Sequence, residues 1–341
     1  MKTPAPEFAI DECHRQQQDL RMATAKFRQL CGLVIAVLLR ANPTVAAPVI
    51  HPEALGPFRT TVISFPELRD HSRKDRKVPI KVHMPSDEGP FPVVVLSHGG
   101  GGNWDANYAQ AEHLASHGYT VLALEHVGSN TKVMRRWFRF MANLKAMTRS
   151  ADEVLGRPKD ISFALDQAAL WNRADTRLAG RLDLEHIGML GHSFGAYTTL
   201  AACGARPALD WLTPEVAPGH GLGPNLRDER IDAAVALSPQ GPGEPFFLPE
   251  SYRTVTCPTL GISGTRDEQQ GARPEHRKKF FELLPPGQKL FIWLTNADHT
   301  AFSDSTGAGR RMLRSESREQ VQPIVRAATL LFFEWQLRGN A

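Results

Sequence analysis

The sequence predicts an α/β protein: a doubly wound, mostly parallel sheet of eight strands with helices on both faces and a small cap or insertion. Three observations predict it. From about residue 60, short runs rich in Val, Ile and Leu alternate with helix-like stretches. Several runs are apolar at consecutive positions, as strands buried on both faces of a parallel sheet must be. No internal repeat or Pro/Ser linker divides the chain, so one domain over 48–341 is the expected count. Composition agrees. Of 341 residues, 42% are hydrophobic and 22% charged, which rules out disorder for most of the chain and a multi-pass membrane protein. Four cysteines are too few for a disulfide scaffold at this length.

The first 47 residues read as a targeting segment. Leu30–Leu39 is an apolar run of ten, preceded by Lys26 and Arg28. It is shorter than the roughly 20 residues a membrane-spanning helix needs. Asn42 and Pro43 then break it, and Thr44-Val45-Ala46 supplies small residues for a signal peptidase. A start at Met22 gives the usual short basic leader, whereas a start at Met1 adds Glu7, Asp11, Glu12 and Asp19 to it. The expectation is export to a secreted or periplasmic location, with cleavage after Ala46. That cut removes Cys13 and Cys31 and leaves 34 Lys/Arg against 32 Asp/Glu, so the +4 of the whole chain falls to +2. Such a weak field gives no reason to expect a nucleic-acid partner.

Along the remainder, strands are predicted over Thr60–Phe65, Val78–Met84, Pro92–Ser97, Thr120–Glu125, Ile187–Gly191, Ala233–Ser238, Thr259–Ser263 and Leu290–Leu294. Helices are predicted over Ala106–Ser116, Pro158–Trp171, Phe194–Cys203, Pro274–Leu284 and Glu319–Leu337, with Pro158 and Pro274 in first turns that tolerate proline. Two insertions break the alternation. Residues 206–230, rich in Pro and Gly, read as loop. Residues 127–150 carry Lys132, Arg135, Arg136, Arg139, Lys145 and Arg149 with no acidic residue, opposite a stripe of Met134, Trp137, Phe138, Met141 and Leu144. That pattern suits a cap helix packed on the body. It also suits a lid over an acyl site, or a basic face meeting an anionic membrane surface.

The chemistry gathers at strand ends. Gly191-His192-Ser193-Phe194-Gly195 follows a buried strand and precedes a helix, the context in which G-x-S-x-G presents a serine nucleophile on a tight turn. Serine needs a base to take its proton, and that base needs an orienting acid. Asp267 follows the strand ending at Ser263, and His299 follows the strand ending at Leu294. The order Ser, Asp, His is that of α/β-hydrolases and differs from the orders of chymotrypsin and subtilisin. Glu268 and Asp298 are the rivals for the acid. After the early strand Val93–Ser97, the run Gly99–Gly102 lets backbone amides approach a developing oxyanion, and the Gly100 and Phe194 N–H groups are the expected donors. A nucleotide loop is excluded, because Trp104 and Asp105 occupy the third-glycine positions of G-x-G-x-x-G.

Ser97-His98-Gly99, Gly191–Gly195, Asp267 and His299 together resemble the α/β-hydrolase superfamily. More narrowly, with Arg157-Pro158-Lys159-Asp160, Phe163–Asp166 and Ala236–Gly241, they are similar to the dienelactone hydrolase and platelet-activating-factor acetylhydrolase-like branch, over roughly residues 55–335. The resemblance implies a serine esterase with the triad Ser193, Asp267 and His299, oxyanion amides of Gly100 and Phe194, and no cofactor. Dienelactone hydrolases themselves use cysteine where this chain has Ser193, so their substrate does not carry over. The function expected is cleavage of a small-molecule or lipid carboxylic ester; a lipase or phospholipase, an amidase or peptidase, and a non-catalytic binding module are the alternatives.

Weaker candidates remain. Trp104, Tyr108, Trp137 and Phe138 suggest an aromatic-lined substrate cleft. His113 and His117 have an i, i+4 metal-ligand spacing but no third ligand, so a solvated helix face is expected and no metal. His98 and His192 are expected to be structural partners around the site, and His126, closing a strand near the 127–150 insertion, is expected as a satisfied structural histidine with a substrate contact the alternative. Cys203 and Cys257 are expected as buried free thiols, with a disulfide the alternative after export.

Overall fold

The computed structural model describes residues 51–135, 140–269, 272–304 and 315–340. The chain divides into Met1–Ile50 and His51–Ala341, and the fold is that of the second unit. The expected export segment 1–47 and its cleavage site lie outside the described residues, as do Trp137 and Phe138.

Strand β1 (Thr60–Phe65) leads into a short hairpin, β2 (Arg69–Asp70) with β3 (Arg76–Lys77), and then β4 (Ile80–Pro85) and β5 (Phe91–Ser97). Helix α1 (Tyr108–Ser116), β6 (Thr120–Leu124), α2 (Phe140–Arg149), α3 (Ala151–Val154) and α4 (Gly156–Ala174) follow. Next come β7 (Leu182–His192), α5 (Phe194–Ala202), β8 (Ala233–Leu237), β9 (Thr259–Arg266), α6 (Pro274–Leu283), β10 (Lys289–Asp298) and α7 (Arg318–Arg338). The central sheet has eight strands in the order β1-β4-β6-β5-β7-β8-β9-β10. Only β4 runs against its neighbours; every other pairing in that sheet is parallel. All residues of β5, β6 and β8 are buried, which is why their sequences are apolar without alternation. One core cluster packs α4, α5 and α6 on one face of the sheet, with Trp171, Leu200 and Phe280. The other packs α1 and α7 on the opposite face, with Leu114, Val325 and Phe333.

The eight expected strands are present, and the differences lie at their ends. β7 begins at Leu182, earlier than expected, because Asp183 and Glu185 interrupt its apolar pattern. The β2–β3 hairpin was not expected, since two-residue strands carry no period; it is held instead by ion pairs of Asp70 with Arg73 and Asp75 with Arg69. Helix α4 starts at Gly156, two residues before Pro158, whose missing N–H is still in the unpaired first turn. Residues 206–230 are irregular as expected, stitched by Arg206 to the Gly223 and Leu222 carbonyls.

Met134, Leu144 and Met147 are buried in the core cluster. Met141 is 59% exposed, because the buried arc of α2 is centred on Leu144, Met147 and Thr148 and leaves Met141 at its edge. Among the described residues, no helix is long and apolar enough to cross a membrane. Cys203 and Cys257 are free thiols with no disulfide between them; Cys203 is buried and Cys257 half-buried.

The turn from β7 into α5 leaves no room for side chains at its two glycines. A methyl group at Gly191 would lie 2.2 Å from the Gly195 carbonyl oxygen, and one at Gly195 would lie 2.0 Å from the carbonyl oxygen of Ser97 on β5. Both clashes are with backbone, which cannot rotate away. Gly195→Ala is therefore expected to destabilise the protein by at least about 3 kcal/mol, lowering the melting temperature by roughly 5–10 °C. A thermal melt within roughly 1 °C of wild type would show that strand and turn tolerate separation.

Candidate active site

Ser193 stands between β7 and α5 with φ 54° and ψ −118°, a conformation that costs energy in a side-chain-bearing residue and lifts its hydroxyl above the sheet edge. Its backbone N–H bonds to the Leu237 carbonyl of β8 at 3.0 Å, which fixes the turn against the neighbouring strand. Asp267 follows β9 and His299 follows β10, so the parallel strands deliver all three side chains to one carboxyl edge. His299 Nε2 lies 2.9 Å from Ser193 Oγ, and His299 Nδ1 lies 2.8 Å from Asp267 Oδ1. Asp267 and His299 are buried, while Ser193 is half-buried and faces the cleft.

The Asp267 carboxylate is heavily supported. Ser263 Oγ donates to Oδ2 at 2.7 Å and Ser238 Oγ to Oδ1 at 3.0 Å. The guanidinium of Arg277 on α6 places Nε 2.9 Å from Oδ1 and donates to the Ser238 and Pro239 carbonyls at 3.1 Å. Burial works to raise the Asp267 pKa, but Arg277 and His299 outweigh it and hold the acid below the usual carboxylate range. Burial, with Arg277 adding to it, pushes the His299 imidazole below its ordinary value against the pull of Asp267. The imidazole is therefore neutral near pH 7, with Nδ1–H on Asp267 and the Nε2 lone pair on Ser193, which is the state a general base requires.

The rival acids do other things. Glu268 is exposed. Asp298 caps the 3-10 turn His299–Phe302, accepting from the Thr300 and Ala301 amides and the Ser315 and Ser317 hydroxyls.

The glycine loop after β5 lies against Ser193 and Phe194. Gly101 and Gly102 donate to the Ser129 and Gly99 carbonyls at 2.8 and 3.0 Å, and Thr131 Oγ1 bonds both the Gly101 and Gly102 carbonyls at 3.0 Å. Among the described residues no acceptor takes up the Gly100 N–H. A methyl group at Gly100 would come within 2.9 Å of Leu144 and 3.9 Å of Phe194 Cβ, so the loop is clamped between α2 and α5. The arrangement suits an oxyanion site, with amides presented and no side chain in the way.

The cleft in front of Ser193 holds about 1050 Å³ and is walled by Met141, Leu144 and Phe246, with an ion pair between Arg149 and Glu244 at its rim. Two expected substrate contacts are elsewhere. Trp104 packs under Lys81 and Tyr108 against His83, and neither lines the cleft. The reason is that β4 presents these two long polar side chains to the start of α1, where they need aromatic cover. Nor are His113 and His117 a solvated face: His113 is buried, and the two rings bond the Pro52 and Ala54 carbonyls at 2.8 and 3.0 Å. Among the described residues no group of three or more His, Cys, Asp or Glu could hold a metal. His192 bonds the His299 carbonyl at 2.9 Å, as a structural partner should.

Reading the sequence did not find Ser263 or Arg277. Nothing in a basic helix marks one arginine as buried. Ser238 closes the expected strand Ala233–Ser238, and Gln240, which donates to the Ser193 carbonyl at 2.8 Å, lies just beyond it in a segment marked by family resemblance alone.

The sheet order, the strand-turn-helix at Ser193 and the carboxyl-edge placement define the α/β-hydrolase fold, and the family model for the alpha/beta hydrolase fold matches residues 92–252. The chain is similar to Cutinase est2 of Thermobifida alba, 24% identical over 221 residues that make up 64% of this chain and 56% of that one. Cutinase est1 of the same organism gives 24% over 221 residues, 64% of this chain and 57% of the relative. A bis(hydroxyethyl) terephthalate hydrolase of Streptomyces coelicolor gives 25% over 222 residues, 65% of this chain and 54% of the relative. The match thus spans little more than half the length of these curated relatives. They support the α/β-hydrolase superfamily without singling out the dienelactone hydrolase branch.

Arg277 sits on the acid-imidazole pair, so removing its charge has a defined sign. With Arg277→Met, the imidazolium loses a repelling neighbour and the His299 pKa rises, while burial still holds it down. An NMR titration of the His299 ring checks this: an unchanged midpoint in the variant would show that Arg277 does not act on the imidazole.

Proposed function

We propose that the protein is a carboxylic ester hydrolase working through an acyl-enzyme. The observation that carries this reading is the unbroken hydrogen-bond line from Ser193 Oγ through His299 to Asp267, at 2.9 and 2.8 Å, at the floor of a large cleft. His299 takes the Ser193 proton as Oγ attacks the ester carbonyl, and Asp267 holds the ring and balances its charge. The amides of Gly100 and Phe194 receive the oxyanion. His299 then returns the proton to the leaving alcohol, and a water deprotonated by the same ring releases the acid. Similarity to proteins named cutinase and bis(hydroxyethyl) terephthalate hydrolase supports ester rather than amide substrates, and the motif resemblance to the dienelactone hydrolase and platelet-activating-factor acetylhydrolase-like branch supports a serine variant of that chemistry. Export through residues 1–47 belongs to the same reading.

A chain-length series of p-nitrophenyl esters, run beside bis(hydroxyethyl) terephthalate and a matched anilide, tests it. Hydrolysis of esters well above the anilide is expected, with Ser193→Ala lowering kcat/KM by at least about 10³-fold. Full activity in Ser193→Ala would end the proposal, and anilide turnover equal to ester turnover would move it to an amidase. Because the base must be neutral, kcat/KM should fall as pH drops through the His299 pKa, and this acid limb should move to higher pH in Arg277→Met. A limb that stays in place while the His299 midpoint moves would remove His299 from the role of base.

A further inference from the structure

A second Ser-His-Asp line lies behind the first. Ser97 Oγ is 2.9 Å from His126 Nε2, and His126 Nδ1 is 2.8 Å from Asp160 Oδ2. All three side chains are fully buried, so this line cannot meet a substrate. It does not end in a nucleophile. It ends at Arg157, whose Nη2 donates to Ser97 Oγ at 3.2 Å and to the His98 carbonyl at the root of the glycine loop. The same guanidinium stacks 4.2 Å over the ring of Phe194. Arg157 thus touches both elements whose amides would hold an oxyanion, the loop through His98 and the elbow through Phe194.

The surroundings keep that cation in place. Asp160 is clasped by Arg76 at 2.8 and 3.0 Å and by Arg73 at 2.8 Å, both from the β2–β3 hairpin. Glu153 takes Arg76 at 3.2 Å and the Ser129 hydroxyl at 2.5 Å, and the Ser129 carbonyl holds the Gly101 amide. Burial pushes His126 down to about 3 and holds His98 well below its usual value, so both rings are neutral. Three arginines then face Asp70, Asp160 and Glu153, and the cluster balances. Burial draws Arg157 down only to about 9, which leaves it charged. Its Nε and Nη1 find no acceptor among the described residues, an arrangement that costs stability and needs a reason beyond it.

We propose that Arg157 is a positioning residue for the oxyanion site: its planar cation clamps the His98 carbonyl and the Phe194 ring together, which sets the distance between the Gly100 and Phe194 amides. This rests on the ester-hydrolase reading. Lysine would keep the charge but lose the flat stack and the fork.

The test uses the full chain, p-nitrophenyl butyrate and an alkylboronic acid, whose tetrahedral adduct on Ser193 occupies the oxyanion site. Arg157→Lys, Arg157→Met and Phe194→Leu are compared, the last keeping the Phe194 amide while removing the ring that Arg157 covers. Folded Arg157→Lys should lose roughly 10–100-fold in kcat with KM within about twofold, and boronate affinity should fall in parallel. Arg157→Met should lose at least as much. The acid limb of the pH profile should stay where wild type has it, since Arg157 does not touch His299. Phe194→Leu should lose kcat likewise, and the double variant should be no worse than the poorer single, because both cut one contact. Should the Arg157 variants not fold, Phe194→Leu decides by its boronate affinity alone, a loss supporting the clamp and wild-type affinity overturning it. The clamp is overturned by kcat within about twofold of wild type, by a rise in KM at constant kcat, or by additive losses in the double variant. Ser193→Ala run alongside separates the failures: an active Ser193→Ala sinks the hydrolase reading, whereas an inactive one beside an unimpaired Arg157→Lys sinks only the clamp.

Discussion

The Ser97 carbonyl oxygen and the α-carbon of Gly195 meet with no room for a methyl group between them. The rest of the site depends on that contact. It locks the end of β5 to the first turn of α5, so the glycine loop leaving β5 and the Phe194 amide opening α5 face one another across Ser193. Parallel neighbours then do the remaining work. Because β8, β9 and β10 follow β7 in order and run the same way, whatever follows each strand arrives on the same edge. A serine, an acid and a histidine separated by more than a hundred residues thereby come within hydrogen-bond distance.

Two Ser-His-Asp lines with nearly equal spacings share this structure, and their environments give them opposite characters. The one at Ser193 opens on a cleft. The one at Ser97 is sealed beneath the sheet edge, and its serine is taken up by Arg157. Each acid is held ionised by an arginine at its side: buried Arg277 beside Asp267, half-buried Arg76 beside Asp160. Charge in such places is expensive unless every partner is supplied. Both acids are given theirs, from elements as remote in sequence as the β2–β3 hairpin and α6, while Arg157 keeps two N–H groups without an acceptor among the described residues.

The legible features were those written in local pattern. Consecutive apolar residues gave away β5, β6 and β8 because both faces of these strands are covered. Gly191 and Gly195 around Ser193 marked the turn because the backbone there leaves no space for a side chain. The chain order of Asp267 and His299 followed from the strands that precede them. The aromatic wall was misread at Trp104 and Tyr108, which are engaged by Lys81 and His83 on β4, a strand more than twenty residues upstream. A side chain's direction across a loop has no period to read.

What the sequence alone determined is the alternation of strand and helix, the sharp turn at Ser193, and the identity of the residues at the strand ends. These depend on spacing along the chain, and spacing is what a sequence records. The tertiary structure decided which arginines are buried, which aromatics face the cleft, and that Asp298 caps a turn while Asp267 meets the imidazole. Those outcomes depend on desolvation and on partners brought from distant elements. A charge acquires its meaning only when the surfaces around it close.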